Sequence, residues 1–317
     1  MRIVVFLGLL LSFALAGYVT ITGFFLAKSS VDLLKVGTVA AMLLQEETPE
    51  DPLMLGYRGN PMQALSLPFQ ILPVDTPLGP TEAWLVPAQG SEVGRAIYVH
   101  GIAGAREDGY RHLMTLHQAG YSVLMIGYRN DPGAPATADG LYGFGLTEWP
   151  DLEAAVAQFS PGPDGPGLLI VAESMGAAIL GQFLARSDLA NRVSAVALDS
   201  PALSFSEVLY HLAEQGDYPV PGAIAWAAGL VLPQLTDLPL TEAEVSGVFA
   251  SFPGPLFIAH GSADRIVPIA SSEALAAGRS ADTTTVFWTE ADHLGSFAAD
   301  PDGFRAAFTD FLTGLAS

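Results

Sequence analysis

The sequence predicts an α/β fold built on a mostly parallel sheet with helices on both faces, and three observations carry that prediction. Short apolar or β-branched runs alternate with helical stretches from Pro61 onward, the rhythm of strand–helix–strand units. Several runs, among them Leu168–Val171, Ala195–Leu198 and Leu256–Ala259, are apolar at every position, as strands covered on both faces must be. Two further runs, Leu65–Val74 and Thr81–Val86, come first with no helical stretch between them, which points to an opening antiparallel meander.

Taken in order, the other expected strands are Ala96–Val99, Ser122–Tyr128 and Thr284–Thr289, and the clearest helices are Tyr110–Ala119, Asp151–Phe159 and Met175–Ala185. In the second helix Leu152, Val156 and Phe159 recur at helical spacing, and Thr147 is placed to cap its start. One segment breaks the alternation. Leu203 to Pro253, about 50 residues, holds no convincing strand and reads as a helical insertion.

The N-terminus is of another kind. Ile3 to Ala27 contains no charged side chain; as a helix it would be roughly 37 Å long, enough to cross a bilayer with some tilt. A cleaved secretory signal is the competing reading, with Arg2 as its positive end and Ala14-Leu15-Ala16 as a cleavage site. The run continues through Ile21, Phe24, Phe25 and Leu26, longer than a signal core, which favours an uncleaved anchor. An N-terminus held inside would leave the rest of the chain outside the cytoplasm. The expected division is therefore 1–28 as transmembrane anchor or signal, 29–60 as a juxtamembrane linker that includes the acidic, proline-rich stretch Glu46–Pro52, and 61–317 as the main domain with the insertion at about 203–253.

Composition narrows the function. The chain has 317 residues, half of them apolar, with 33 acidic against 13 basic side chains and a formal charge of −20. Such a surface repels phosphate backbones, so nucleic acid is excluded as a partner. Cysteine is absent, which removes disulfides, thiolate metal sites and a cysteine nucleophile. His112, His117 and His211 fall in helical stretches without ligand spacing, so neither a metal site nor a cofactor is implied.

The strongest local signal is Leu169 to Ala178, LIVAESMGAA, which runs from a strand through a sharp turn into a helix with Ser174 at the turn. A serine there stands clear of the sheet edge, where its hydroxyl can meet a base and the amides that open the next helix. Small neighbours are needed because strand and helix approach closely, and Gly176 and Ala178 supply them, with Ala172 in place of the first glycine of G-x-S-x-G. Such a serine can also simply cap a helix. Upstream, Ile97 to Gly104 runs from a strand into a glycine-flanked turn containing His100-Gly101-Ile102. Downstream, a strand through His260 presents Asp264 in a loop, and the last strand presents His293 in another. Asp199, at the end of the preceding strand, is a second candidate acid, and the sequence leaves both open. The order Ser174, Asp264, His293 is the order in which a nucleophile, acid and base follow one another in an α/β serine hydrolase.

With these residues the sequence resembles the α/β-hydrolase superfamily from about Leu65 to Leu315. Within it, it is similar to bacterial serine hydrolases with an N-terminal membrane segment, grouped with esterases and lysophospholipase-like enzymes. Tyr128 to Pro135, Asp139 to Tyr142 and Thr147-Glu148-Trp149 resemble the stretch that precedes the nucleophile strand in that group, except that Arg129-Asn130 stands where many relatives carry an acidic residue. The resemblance implies cleavage of carboxylic esters through an acyl-enzyme, with Ser174 as nucleophile, His293 as base, Asp264 as its orienting acid, and the Ile102 and Met175 amides as oxyanion hole. It also implies that the insertion caps the serine, with Trp226 and Leu230 among the apolar residues expected to wall an acyl site. Glu148 and Trp149 either line that site or start a helix. Hydrophobic or lipid-like esters are the expected substrates, with the membrane engaged through the N-terminal helix. The alternatives are a non-catalytic membrane-bound binding protein of this fold, or acyl transfer, thioester or peptide cleavage on the same residues.

Overall fold

The computed structural model describes residues 2–43, 48–162, 165 and 167–315. The N-terminal part consists of α1 (Arg2–Leu34), α2 (Thr38–Leu43) and α3 (Pro61–Leu65). The sheet begins with β1 (Gln70–Thr76), β2 (Gly79–Val86) and β3 (Gly94–Val99), followed by α4 (Tyr110–Gln118), β4 (Tyr121–Ile126), α5 (Trp149–Phe159), β5 (Leu168–Glu173), α6 (Met175–Arg186) and β6 (Val193–Asp199). The insertion comprises α7 (Phe205–Gln215), α8 (Pro221–Val231) and α9 (Ser246–Ser251). The chain then closes with β7 (Leu256–Gly261), α10 (Ile269–Ala277), β8 (Thr284–Thr289), α11 (Ser296–Ala299) and α12 (Pro301–Leu315).

The eight strands form one sheet in the order β1-β2-β4-β3-β5-β6-β7-β8. β1–β2 and β2–β4 pair antiparallel, and every later pair is parallel. Side chains alternate between two cores. Ile97 and Val99 join the core under α5 and α6, whereas Ala96 and Tyr98 join the one under α4 and α12, so each central strand must be apolar on both sides. From β3 the chain passes to β4 on one side and then returns to β5 on the other. The crevice beyond the ends of β3 and β5 is therefore a topological switch point, where open α/β sheets bind their ligands.

Two expectations shift. The first strand begins at Gln70 rather than Leu65, because Pro61–Leu65 is a helical turn. Asn60 and Gln63 cap it reciprocally, with Pro61 at its first position, and this local signal outweighs the apolar pattern. The N-terminal helix runs to Leu34, past the expected boundary at 28, and Ala27, Val31 and Leu34 lie in the same core as α6 and α8. Main-chain hydrogen bonds from Val36 N to Gly140 O (2.9 Å) and from Tyr142 N to Leu34 O (2.9 Å) tie its end to the body. Among the described residues α1 alone is long and apolar enough to cross a membrane; an 18-residue window has mean hydropathy 2.3 and none of it is buried.

Leu44 and two residues of the acidic stretch, Glu46 and Glu47, lie outside the described residues. The later linker residues pack on the domain. Arg58 Nη1 and Gly56 N donate to Asp108 Oδ1 at 2.9 and 3.1 Å, and the Tyr110 hydroxyl donates to Gly59 O.

Candidate active site

Ser174 sits between β5 and α6 at φ 48°, ψ −120°, a backbone region that costs a non-glycine residue on the order of 1–3 kcal/mol. The turn is held by its surroundings. Ser174 N donates to Asp199 O (3.0 Å), and Ser174 O accepts from Ala177 N (3.0 Å) and Ala202 N (3.1 Å). A Cβ on Gly176 would lie 2.4 Å from Val99 O, and one on Gly101 would lie 2.9 Å from Ser174 Cβ. Only glycine fits where the start of α6 and the turn after β3 close on the serine. Ala172 is fully buried between Val99 and Leu198, so alanine serves in place of the usual first glycine.

The three candidate side chains meet. Ser174 Oγ lies 2.9 Å from His293 Nε2, and His293 Nδ1 lies 2.7 Å from Asp264 Oδ2. An ionised carboxylate only accepts, so Nδ1 carries the proton and Nε2 is free to accept from the serine hydroxyl. Asp199 does not touch His293; its Oδ2 faces Arg111 Nη2 at 3.4 Å and His112 Nε2 at 3.5 Å. The Ile102 and Met175 amides flank the serine, on the turn after β3 and at the start of α6, and neither donates to another described backbone group.

Asp264 has more partners than the imidazole. Its Oδ1 accepts from Ile266 N and Val267 N, both at 2.8 Å, and its Oδ2 also accepts from His260 Nε2 at 3.1 Å. His260 Nε2 faces a second acceptor, Val267 O, at 3.2 Å, while Ser272 Oγ stands 2.7 Å from Nδ1, so Nε2 is the protonated nitrogen. Burial pushes the Asp264 carboxyl up, but the hydrogen bonds from His260 and His293 outweigh it and hold the group well below the usual carboxylate range. Asp292 takes a different part. It binds Arg265 from across the gap and accepts from His293 N at 2.8 Å, linking the loops that carry Asp264 and His293. Ser200, at φ 45°, accepts from Leu294 N at 3.1 Å and braces the histidine loop from β6.

Directly beneath the elbow lies a charge cluster that sequence reasoning did not assemble. Glu173, one residue before the serine, accepts from Tyr98 Oη (2.6 Å), Arg111 Nη2 (2.5 Å) and His112 Nε2 (2.9 Å), and Asp199 completes the group. All of these side chains are buried. Burial disfavours the charged form of His112, but its hydrogen bonds to Asp199 and Glu173 outweigh that and raise its pKa. His112, Glu173 and Asp199 bring ligand atoms within 4.8 Å of one another, a spacing that a divalent ion could use. Arg111 Nη2 already stands among them as the cation that the two carboxylates require. A signal was available: Glu173 and Asp199 end strands that are otherwise apolar, and a carboxylate at such a place needs a buried partner.

The other candidates are structural. His100 stacks on Tyr128 with ring centroids 4.4 Å apart, and its Nε2 lies 3.0 Å from Asp131 Oδ2. Glu148, rather than Thr147, precedes α5, and its buried carboxylate accepts from Gly143 N (2.6 Å) and Gly145 N (3.0 Å). Arg129 binds Asp151 with two side-chain nitrogens, Nε at 2.9 Å and Nη2 at 2.7 Å. His211 of α7 reaches Asp264 O at 2.8 Å. Trp226 and Leu230 stand on the outer surface of the insertion, 67% and 58% exposed, not facing inward as walls over the serine. The cavity beside His293, about 220 Å³, is bounded instead by Leu53, Met54 and Leu55 of the linker together with Leu294 and Phe297.

No family model matches the chain, and no curated protein matches its sequence. Solved structures do match in three dimensions. An esterase of Pyrococcus furiosus superposes with TM-score 0.62 at 17% identity, over 81% of this chain and 94% of that one. The chain has the α/β-hydrolase fold. An esterase of Exiguobacterium antarcticum (TM-score 0.55, 14% identity, 77% of this chain and 100% of that one) and a bromoperoxidase of Bacillus anthracis (0.55, 16%, 77% and 100%) share it. That esterases and a bromoperoxidase share this fold places the question of reaction in the site.

Proposed function

We propose that the protein is a serine hydrolase that cleaves carboxylic esters, and that its substrates are hydrophobic or lipid-like. The observation that carries this reading is the continuous hydrogen-bond chain Ser174–His293–Asp264, on a strained turn between a parallel strand and a helix. In the proposed reaction His293 Nε2 takes the proton as Ser174 Oγ attacks the ester carbonyl. Asp264 stabilises the imidazolium, and the Ile102 and Met175 amides donate to the oxyanion. The imidazolium protonates the departing alcohol, and water then cleaves the acyl-serine by the same steps. Esterases are named among the structural neighbours, which is in keeping with ester cleavage; acyl transfer and peptide hydrolysis on the same residues are the alternatives.

A fluorophosphonate probe is expected to attach at Ser174, and a panel of p-nitrophenyl esters, lysophospholipids and aminoacyl amides to show turnover of the esters. A folded protein that neither labels nor turns over any of them would favour the non-catalytic reading.

In the same proposal residues 61–317 are the catalytic domain, the segment at about 203–253 is its cap, and α1 is an uncleaved anchor that leaves the domain outside the cytoplasm. Full-length protein should then stay with the membrane pellet through a carbonate wash. Soluble protein beginning at Gly17 would instead identify a cleaved signal.

A further inference from the structure

Helix α8 has two faces with different surroundings. Its inner face, Ile224, Ala225, Ala227 and Ala228, is buried. Its crossing with α1 is so close that a Cβ on Gly23 would come 2.7 Å from Ala227 Cβ and 3.0 Å from Ala228 N. Its outer side carries Ala223, Trp226 and Leu230, three or four residues apart and all exposed, so they line one stripe, and exposed Pro233 follows just past its end at Val231. From Tyr218 to Thr236 there is no charged side chain, in a chain with 33 acidic residues. An uncharged, exposed apolar stripe on so acidic a protein needs an apolar partner.

The crossing supplies the partner's identity. Gly23 belongs to the uncharged run of α1 and lies five residues before Lys28, about 7 Å along the helix from the first charge. Around it, Ile21, Phe24 and Phe25 are 61%, 42% and 59% exposed. Helices in contact lie about 8–10 Å apart, so the medium that covers these α1 side chains near the end of the span also reaches α8.

We propose that the outer face of α8 is embedded in the surface of the lipid bilayer, with Trp226 and Leu230 at the boundary between headgroups and acyl chains. The insertion then rests in the membrane beside its own anchor. A tryptophan at that depth keeps its ring in the apolar layer and its N–H near water. The formal charge of −20 disfavours attraction to anionic headgroups, so insertion is driven by apolar contact with neutral or zwitterionic lipid. Between α7 and α8 a groove of about 440 Å³, lined by Leu209, Tyr210, Trp226 and Leu230, would face acyl chains rather than water. This proposal rests on the reading of α1 as a membrane span.

The absence of cysteine makes the test direct. Full-length Trp226→Cys, Leu230→Cys, Phe13→Cys and Ser91→Cys proteins, each carrying a nitroxide, are reconstituted in phosphatidylcholine vesicles. Collisions of the label with dissolved oxygen and with a water-soluble nickel chelate are then compared. Phe13 reports the inner part of the uncharged run of α1, and Ser91, in the exposed loop before β3, reports water. The oxygen-to-nickel ratio at 226 and 230 is expected to be several-fold above that at 91 and below that at 13. A high ratio at 13 with water-like ratios at 226 and 230 overturns the proposal and leaves the anchor standing. A water-like ratio at 13 removes the span itself, and the proposal with it.

Discussion

Alanine at Ser174 is expected to lower kcat for an activated ester by a factor on the order of 10⁶, since the groups that surround the nucleophile act as one unit. Stability should hardly change. Among the described residues the Ser174 hydroxyl has one partner, His293 Nε2, and alanine keeps the Cβ, so the backbone at φ 48° stays as strained as before. Ser174→Gly separates the two effects: it should be equally inactive but more stable by about 1 kcal/mol, because glycine adopts positive φ without steric cost. Ester turnover and thermal unfolding of the three proteins check this. Wild-type turnover by a folded Ser174→Ala protein would remove the proposed mechanism.

Asp264→Asn should cost a factor on the order of 10⁴ in kcat, because an amide in place of the carboxylate lets the imidazole adopt the tautomer that cannot accept the serine proton. Stability should fall as well. In the folded protein this carboxylate receives two imidazole donors and two amides, and its pKa lies below the unfolded value. The ionised form therefore contributes stability that is fully present above the unfolded pKa of about 3.9 and is lost as pH falls below it. The variant should lack that part of the acid-side loss, which urea midpoints measured between neutral and acid pH would reveal. Asp199→Asn should leave kcat within about tenfold of wild type, since Asp199 meets Arg111 and His112 rather than His293. An inactive Asp199→Asn beside an active Asp264→Asn would reassign the acid.

The parts of this arrangement that were legible in the sequence are those with a local code. Strands such as Leu168–Glu173 and Leu256–Gly261 announce themselves because burial on two faces demands unbroken apolar runs. Ser174 was legible because a strained turn demands small neighbours on both sides. The supports were not legible, because each is a meeting of segments far apart in the chain. Arg111 and His112 are 62 and 61 residues from Glu173, and no periodicity in α4 shows that these polar residues turn inward. His260 lies only four residues before Asp264, yet whether its ring faces the carboxylate depends on how the loop closes through Val267. Trp226 and Leu230, expected as walls over the serine, are exposed on the insertion instead, because an apolar pattern does not say which way its residues face.

The docking of α1 bears on what can be removed from this chain. A membrane helix joined by a loose tether is a separable module, and the enzyme survives its loss unchanged. Here Ala27, Val31 and Leu34 are core residues shared with α6 and α8, and Gly23 meets α8 with no room for a side chain. A cut in the linker near Asp51 would strip the insertion of its packing partner and bare the alanines of α8 to water, inviting aggregation of the shortened chain. The natural seam lies inside the helix, between its exposed apolar residues and those that the folded domain has taken for its own interior.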